Sequence, residues 1–143
     1  DDIVVELGCG LGDSLARIKC RNRYGFDTSQ QVLKAARVKY SFKGIRFFNG
    51  SFDDVLDMNI DYLIAVNFLH DFKTEQVKKW FDNILNKNNV KNIIVDELSD
   101  ESYFCLHKWE LILPREYRQI SCINNELNNG RIIKLFSILR DNE

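Results

Sequence analysis

Val4-Val5-Glu6-Leu7-Gly8-Cys9-Gly10-Leu11-Gly12 is a β-branched apolar run that stops at three alternating glycines. A short apolar run bounded in this way predicts a strand buried on both faces. The glycines let backbone approach a ligand closely, and a helix starting behind them offers free N–H groups. A dinucleotide loop would read G-x-G-x-x-G, its third glycine allowing the helix to pack on the strand. Asp13 stands where that glycine belongs, and Glu6 precedes the loop. A carboxylate there disfavours a pyrophosphate and suits a ligand with cationic groups.

The neighbouring segments alternate strand and helix. Ser14 to Asn22 reads as a helix with Leu15, Ile18 and Cys20 inward, and Tyr24-Gly25-Phe26 as a second strand ending at Asp27. Ser29 is the expected N-cap of a helix whose apolar stripe is Val32, Leu33, Ala36 and Val38. Ile45 to Phe48 is a third strand and Tyr62 to Val66 a fourth. Val77, Trp80, Phe81, Ile84 and Leu85 mark one face of the following helix, and Val90 to Val95 is a fifth strand. Ser99 to Leu113 is weakly helical, with Asp100 and Glu101 in its first turn, and Pro114 ends it. Tyr117–Ile123 and Arg131–Leu139 flank a turn at Asn128-Asn129-Gly130 and predict a hairpin. The expected fold is α/β: a doubly wound, mostly parallel seven-stranded sheet with helices on both faces and a C-terminal antiparallel β-hairpin.

Composition narrows the classes. The chain has 143 residues, 45% hydrophobic and 29% charged, with 20 Lys+Arg against 21 Asp+Glu. That supports one domain, residues 1–143, and argues against disorder. No apolar run approaches the ~20 residues that cross a bilayer, so no membrane partner is expected. The first strand begins almost at Asp1, without a basic-then-apolar leader, so the chain reads as a domain cut from something longer, lacking an N-terminal extension. Lys and Arg outnumber Asp and Glu over residues 1–46 and the balance reverses afterwards. Solvated outer faces of two helices account for this better than a nucleic-acid surface. Cys9, Cys20, Cys105 and Cys122 form no C-x-x-C pair, so reduced thiols in a cytoplasmic protein are expected and no metal site.

Glu6-Leu7-Gly8-Cys9-Gly10-Leu11-Gly12 resembles motif I, E/D-x-G-x-G-x-G, of class I S-adenosylmethionine (SAM)-dependent methyltransferases. Tyr24-Gly25-Phe26-Asp27-Thr28-Ser29 is similar to that family's second-strand signature, and Phe48 to Asp53 to its loop after strand three. Asp61 to His70 resembles its fourth strand and exit loop, and the hairpin completes the likeness over essentially the whole chain. The resemblance implies SAM as cofactor and S-adenosylhomocysteine as product. It implies that Gly8, Cys9 and Gly10 touch the methionine part by backbone, with Glu6 favouring its ammonium. Asp27, followed by Thr28, would accept the ribose hydroxyls, against the alternative of a helix cap. Ser51 and Phe52 would border the adenine, with Asp53 or backbone groups substituting for the more usual acid at Ser51; Asn67 would meet the methionine moiety, against the alternative of a loop cap for the helix beginning near Thr74.

SAM carries its own leaving group, so the protein must position an acceptor and, where needed, remove a proton. His70, four residues past the fourth strand, is the candidate general base; packing into the loop is the alternative. Asp71 could orient it, and Asp96 or Glu97 could line the acceptor site, while His107 and Trp109 read as core. Asn67-Phe68-Leu69-His70 lacks the prolines of N-P-P-Y tetrads, and Arg115 follows the sole proline, so DNA bases are disfavoured. The expected function is methyl transfer to an O or N atom of a small-molecule or sugar acceptor. RNA and protein acceptors stay open, as does a non-catalytic SAM- or nucleoside-binding module.

Overall fold

Ile3–Leu7 forms β1 in the computed structural model, which describes residues 1–55, 57–99, 104–124 and 130–139. β1 pairs in parallel with β2 (Asn22–Asp27) on one side and β4 (Asn59–Ala65) on the other. β3 (Arg46–Asn49) adds outside β2, and β5 (Asn89–Leu98) outside β4, both parallel. β6 (Tyr117–Asn124) and β7 (Arg131–Ile138) form the antiparallel hairpin, with β7 laid against β5. The order β3-β2-β1-β4-β5-β7-β6 reverses direction at β1, which opens a crevice at the carboxyl ends of β1 and its neighbours. The expected seven-stranded, mostly parallel sheet with a terminal hairpin is present.

Helices cover both faces. α3 (Thr74–Lys87) buries Val77, Phe81 and Ile84 of the expected stripe completely, with Trp80 and Leu85 partly buried beside them. These side chains join Leu63, Ile93, Trp109 and Phe136 in the larger core. Phe81 meets Trp109 edge to face at 5.4 Å, and the Trp109 Nε1–H donates to the Asp96 carbonyl at 2.8 Å. A buried indole thus keeps a partner. The opposite face packs α1 (Asp13–Arg17) and α2 (Gln30–Lys39) through Leu15, Leu33 and Ala36. Ser29 caps α2 as expected, its hydroxyl accepting from the Val32 amide.

Four local expectations are corrected. α1 ends at Arg17 rather than Asn22, because the Arg23 guanidinium takes the Leu15 and Ile18 carbonyls that further turns would need. Val38 is 78% exposed: five residues beyond Leu33, it points away from the buried face of α2. Within Ser99–Leu113 the described helix is only α4 (Trp109–Ile112), and Asp100 and Glu101 lie outside the described residues. Before α4 the Cys105 amide donates to the His70 carbonyl, which spends it outside any helix. β5 runs past the expected end at Val95 to Leu98, so Asp96 and Glu97 lie within it, opposite Ile133 and Ile132. Asn128 and Asn129 of the expected turn fall outside the described residues, while Gly130 has the left-handed φ of 72° expected there.

Candidate active site

The glycine loop is tied to the end of β2. The Cys9 amide donates to the Phe26 carbonyl at 3.0 Å, and the Gly10 amide to Asp27 Oδ2 at 2.9 Å. Asp27 Oδ1 accepts the Ser29 amide at 2.8 Å. Asp27 is therefore no cap of α2, since Ser29 does that. It holds the loop and the start of the next connection together. Each of its oxygens retains a second lone pair for a ligand.

A cavity of about 450 Å³ opens beside this loop, within the range of small-molecule sites. Gly8, Asp27 and Thr28 form one side, and Gly50, Ser51 and Phe52 another. Phe68, Asp71 and Phe72 from the loop after β4 close it, together with Trp80 of α3. Phe52 stacks on Trp80 at 5.1 Å, and Phe72 meets Trp80 edge-on at 4.9 Å, giving an aromatic wall. The Phe68 ring lies directly over Gly8, where a Cβ would stand only 2.7 Å from its carbons. Two carboxylates, Asp27 and Asp71, and neither Lys nor Arg, line the cavity among the described residues.

The sequence candidates distribute unevenly around it. Gly8, Asp27, Thr28, Ser51 and Phe52 line the cavity. Glu6, Cys9, Gly10, Asn67 and His70 stand behind or beside it. Glu6 is 4% exposed, and burial pushes its carboxyl up to about 7, partly offset by a hydrogen bond from Ser14. Its Oε2 is buried without a hydrogen-bond partner. Burial, with Glu6 and Asp27 nearby, likewise pushes the Cys9 thiol up to about 12. Asn67 adopts φ 72°, and its amide donates to Asp96 Oδ2 at 3.0 Å. His70 lies in a short 3₁₀ turn, Leu69–Asp71, with Nε2 3.6 Å from Asp71 Oδ1. Asp53 reaches away to Asn83 at 3.1 Å, while Asp54 accepts the Ser51 amide at 2.7 Å.

Other candidates are structural. His107 is buried, with Nε2 2.8 Å from the Leu69 carbonyl and Nδ1 3.1 Å from the Thr74 hydroxyl, so it staples the loop after β4 to α3. Glu97 pairs with Lys134 at 2.6 Å. Sequence reasoning missed Phe68, Phe72 and Trp80 as cavity walls. Trp80 carried a signal, being at the edge of the apolar stripe of α3, but periodicity alone reads such a residue as core.

A family model for the methyltransferase domain matches residues 4–87. No curated protein sequence matches the chain closely enough to count as a relative. Among solved structures, magnesium protoporphyrin IX methyltransferase (ChlM) from Synechocystis PCC 6803 with bound SAM superposes with a TM-score of 0.74 at 18% identity, over 94% of this chain and 69% of that one. The N-methyltransferase NodS from Bradyrhizobium japonicum WM9 gives 0.79 at 10%, over 97% and 86%. LepI in complex with SAM gives 0.75 at 16% over 97% of this chain, which spans only 43% of LepI. Likeness at such identities shows the fold. The family model, however, covers more than half of the chain, which therefore belongs to the family of SAM-dependent methyltransferase domains.

Proposed function

We propose that residues 1–143 form one cofactor-binding domain that transfers a methyl group from SAM to an O or N atom of a small-molecule or sugar acceptor. The observation that carries this reading is the cavity itself: two carboxylates, an aromatic wall and a glycine loop, with neither Lys nor Arg among the described lining residues to hold a pyrophosphate. Asp27 accepts the ribose hydroxyls beside Thr28, Phe52 offers the adenine an apolar wall and Ser51 a polar edge contact. Gly8, Cys9 and Gly10 present backbone to the methionine end, and Asn67 borders it. The unpartnered Oε2 of buried Glu6 suits a donor such as an ammonium, directly or through the loop. SAM supplies the activated methyl on its sulfonium. The chain supplies placement, worth roughly 7–11 kcal/mol in the best intramolecular cases.

His70 is the proposed general base, its imidazole beside the Asp71 carboxylate that lines the cavity. The small-molecule acceptor is supported by the fold shared with a porphyrin methyltransferase and an N-methyltransferase. The four free cysteines support work in the cytoplasm, and no helix among the described residues is long and apolar enough to cross a membrane. His70 stands outside the cavity lining, which favours a SAM-binding module without turnover as the second reading.

Isothermal titration with SAM, S-adenosylhomocysteine and NAD tests the cofactor, and binding of NAD alone overturns it. Release of S-adenosylhomocysteine on screening hydroxylated and amino metabolites tests the transfer. Tight cofactor binding with no release across small molecules, RNA and protein selects the second reading.

A further inference from the structure

Arg131 begins β7, outside the stretch that the family model matches, and its side chain is only 19% exposed. Its guanidinium donates to Asn67 Oδ1 and lies 3.3 Å from Asp96 Oδ2, whose side chain is 3% exposed. The same Asp96 oxygen accepts the Asn67 amide at 3.0 Å. Asn67 is thus gripped at both its backbone and its side chain by one ion pair, and it sits at φ 72°. A non-glycine residue in the left-handed region persists when its surroundings over-determine it. Asn67 is followed at once by Phe68, whose ring covers Gly8, and then by the turn that delivers Asp71 and Phe72 to the cavity.

Both halves of the grip are themselves anchored. Asp96 lies inside β5, its carbonyl taken by Trp109. Arg131 is held opposite Leu98, and the adjacent Ser99 donates from its amide and its hydroxyl to the Gly130 carbonyl at 3.2 and 3.1 Å. The hairpin therefore transmits a fixed point to the loop after β4.

From this we infer that Arg131 is a positioning residue: paired with Asp96, it locks Asn67 left-handed and so sets Phe68, Asp71 and Phe72 as the cofactor-facing wall. Resting on the proposed SAM site, this inference adds to it a residue from the hairpin that touches no cavity atom. An ion pair that served stability alone would need Asp96 and Arg131 but not the Asn67 side chain.

Two variants separate the roles. Arg131→Lys keeps the charge that Asp96 requires, but the lysine ends one bond short of Nη1, the single guanidinium nitrogen that reaches both partners. Asn67→Gly keeps a residue at ease at positive φ and removes the side chain that carries the acceptor oxygen. Two readouts are taken: amide hydrogen exchange of the ligand-free chain over residues 67–72, and titration with S-adenosylhomocysteine. Expected are exchange about tenfold faster in that segment with β1 and β4 unchanged, and affinity about tenfold weaker. The double variant should be no worse than either single one, since both cut the same link. Parental exchange and affinity in both variants would overturn the inference and leave Arg131 a partner of Asp96 only. Faster exchange throughout the sheet would overturn it too, as loss of the fold's stability. Failure of the parent chain to bind S-adenosylhomocysteine overturns the cofactor reading instead, whereas the exchange data still judge the lock.

Discussion

Asp27 Oδ2 and the Gly10 amide meet at 2.9 Å, so the residue closing β2 also shapes the loop that follows β1. The second Asp27 oxygen holds the Ser29 amide at 2.8 Å. Hydrogen bonds to a carboxylate contribute more than neutral ones, about 1.5–3 kcal/mol each. One side chain thus ties the glycine loop to the start of the connection after β2.

Asp27→Ala should accordingly lower both quantities. Affinity for S-adenosylhomocysteine should fall by about one to three decades through the lost ribose acceptor. Melting temperature should fall as well, by several degrees, because two amides lose their acceptor. Calorimetry and thermal denaturation of one preparation check both, and affinity unchanged at a lowered melting point would leave Asp27 a loop tether alone.

The glycines of the loop should differ in sensitivity. Gly10 has φ 53° with nothing within 4 Å of a built Cβ, so Gly10→Ala meets backbone strain only, about 1–2 kcal/mol. Gly8 combines φ 63° with the Phe68 ring at 2.7 Å, so Gly8→Ala must also displace that ring. Gly8→Ala should weaken S-adenosylhomocysteine binding more than Gly10→Ala does. The reverse order in titration would show that Phe68 moves freely.

Glu6 gives a pH prediction with a definite sign. Its carboxyl is raised from 4.5 to about 7 in the folded chain by burial, so the fold binds that proton more tightly than the unfolded chain does. The resulting stability is fully present below pH 4.5 and is lost as pH rises to about 7, to an extent on the order of 3 kcal/mol. The parent chain should unfold at a higher denaturant concentration at pH 5 than at pH 7.5. Glu6→Gln should flatten that difference, and an equal slope in both chains would sink the assignment.

For His70→Ala, turnover should drop about 10²–10⁴-fold with affinity for SAM kept, once an acceptor is in hand. Parental turnover would remove His70 from the chemistry and leave transfer to positioning alone. Weaker SAM binding with an unaltered pH profile would make His70 a loop-packing residue, consistent with its carbonyl receiving the Cys105 amide.

The first four strands were readable along the chain because each ends at or just before a chemically marked position: the glycines after Leu7, Asp27, Asn49-Gly50 and Asn67. The stripe of α3 and the Ser29 cap were readable because both depend on nearest turns of one helix. What escaped depends on partners distant in sequence. The early end of α1 is set by Arg23, and the irregular path of Cys105 to Lys108 by His70 and Leu69. Arg131 gave no local sign of its reach to Asn67, which lies 64 residues earlier. Of the candidate site, the glycine loop was legible from its strand–glycine–helix pattern and Asp27 through the family resemblance, whereas the aromatic wall required knowing that α3 brings Trp80 against Phe52.

Gly25 has one further effect, on the chemical character of its neighbour. A Cβ there would stand 2.8 Å from Cys9 Sγ, so the missing side chain is what lets the thiol sink into the layer between Leu15 and Phe47. Thiolates, not thiols, attack electrophiles, and with its pKa pushed up to about 12 Cys9 holds almost no thiolate at neutral pH. The loop therefore carries sulfur as filler, inert toward electrophiles. Alkylating reagents would find exposed Cys122 first and leave the loop unmarked.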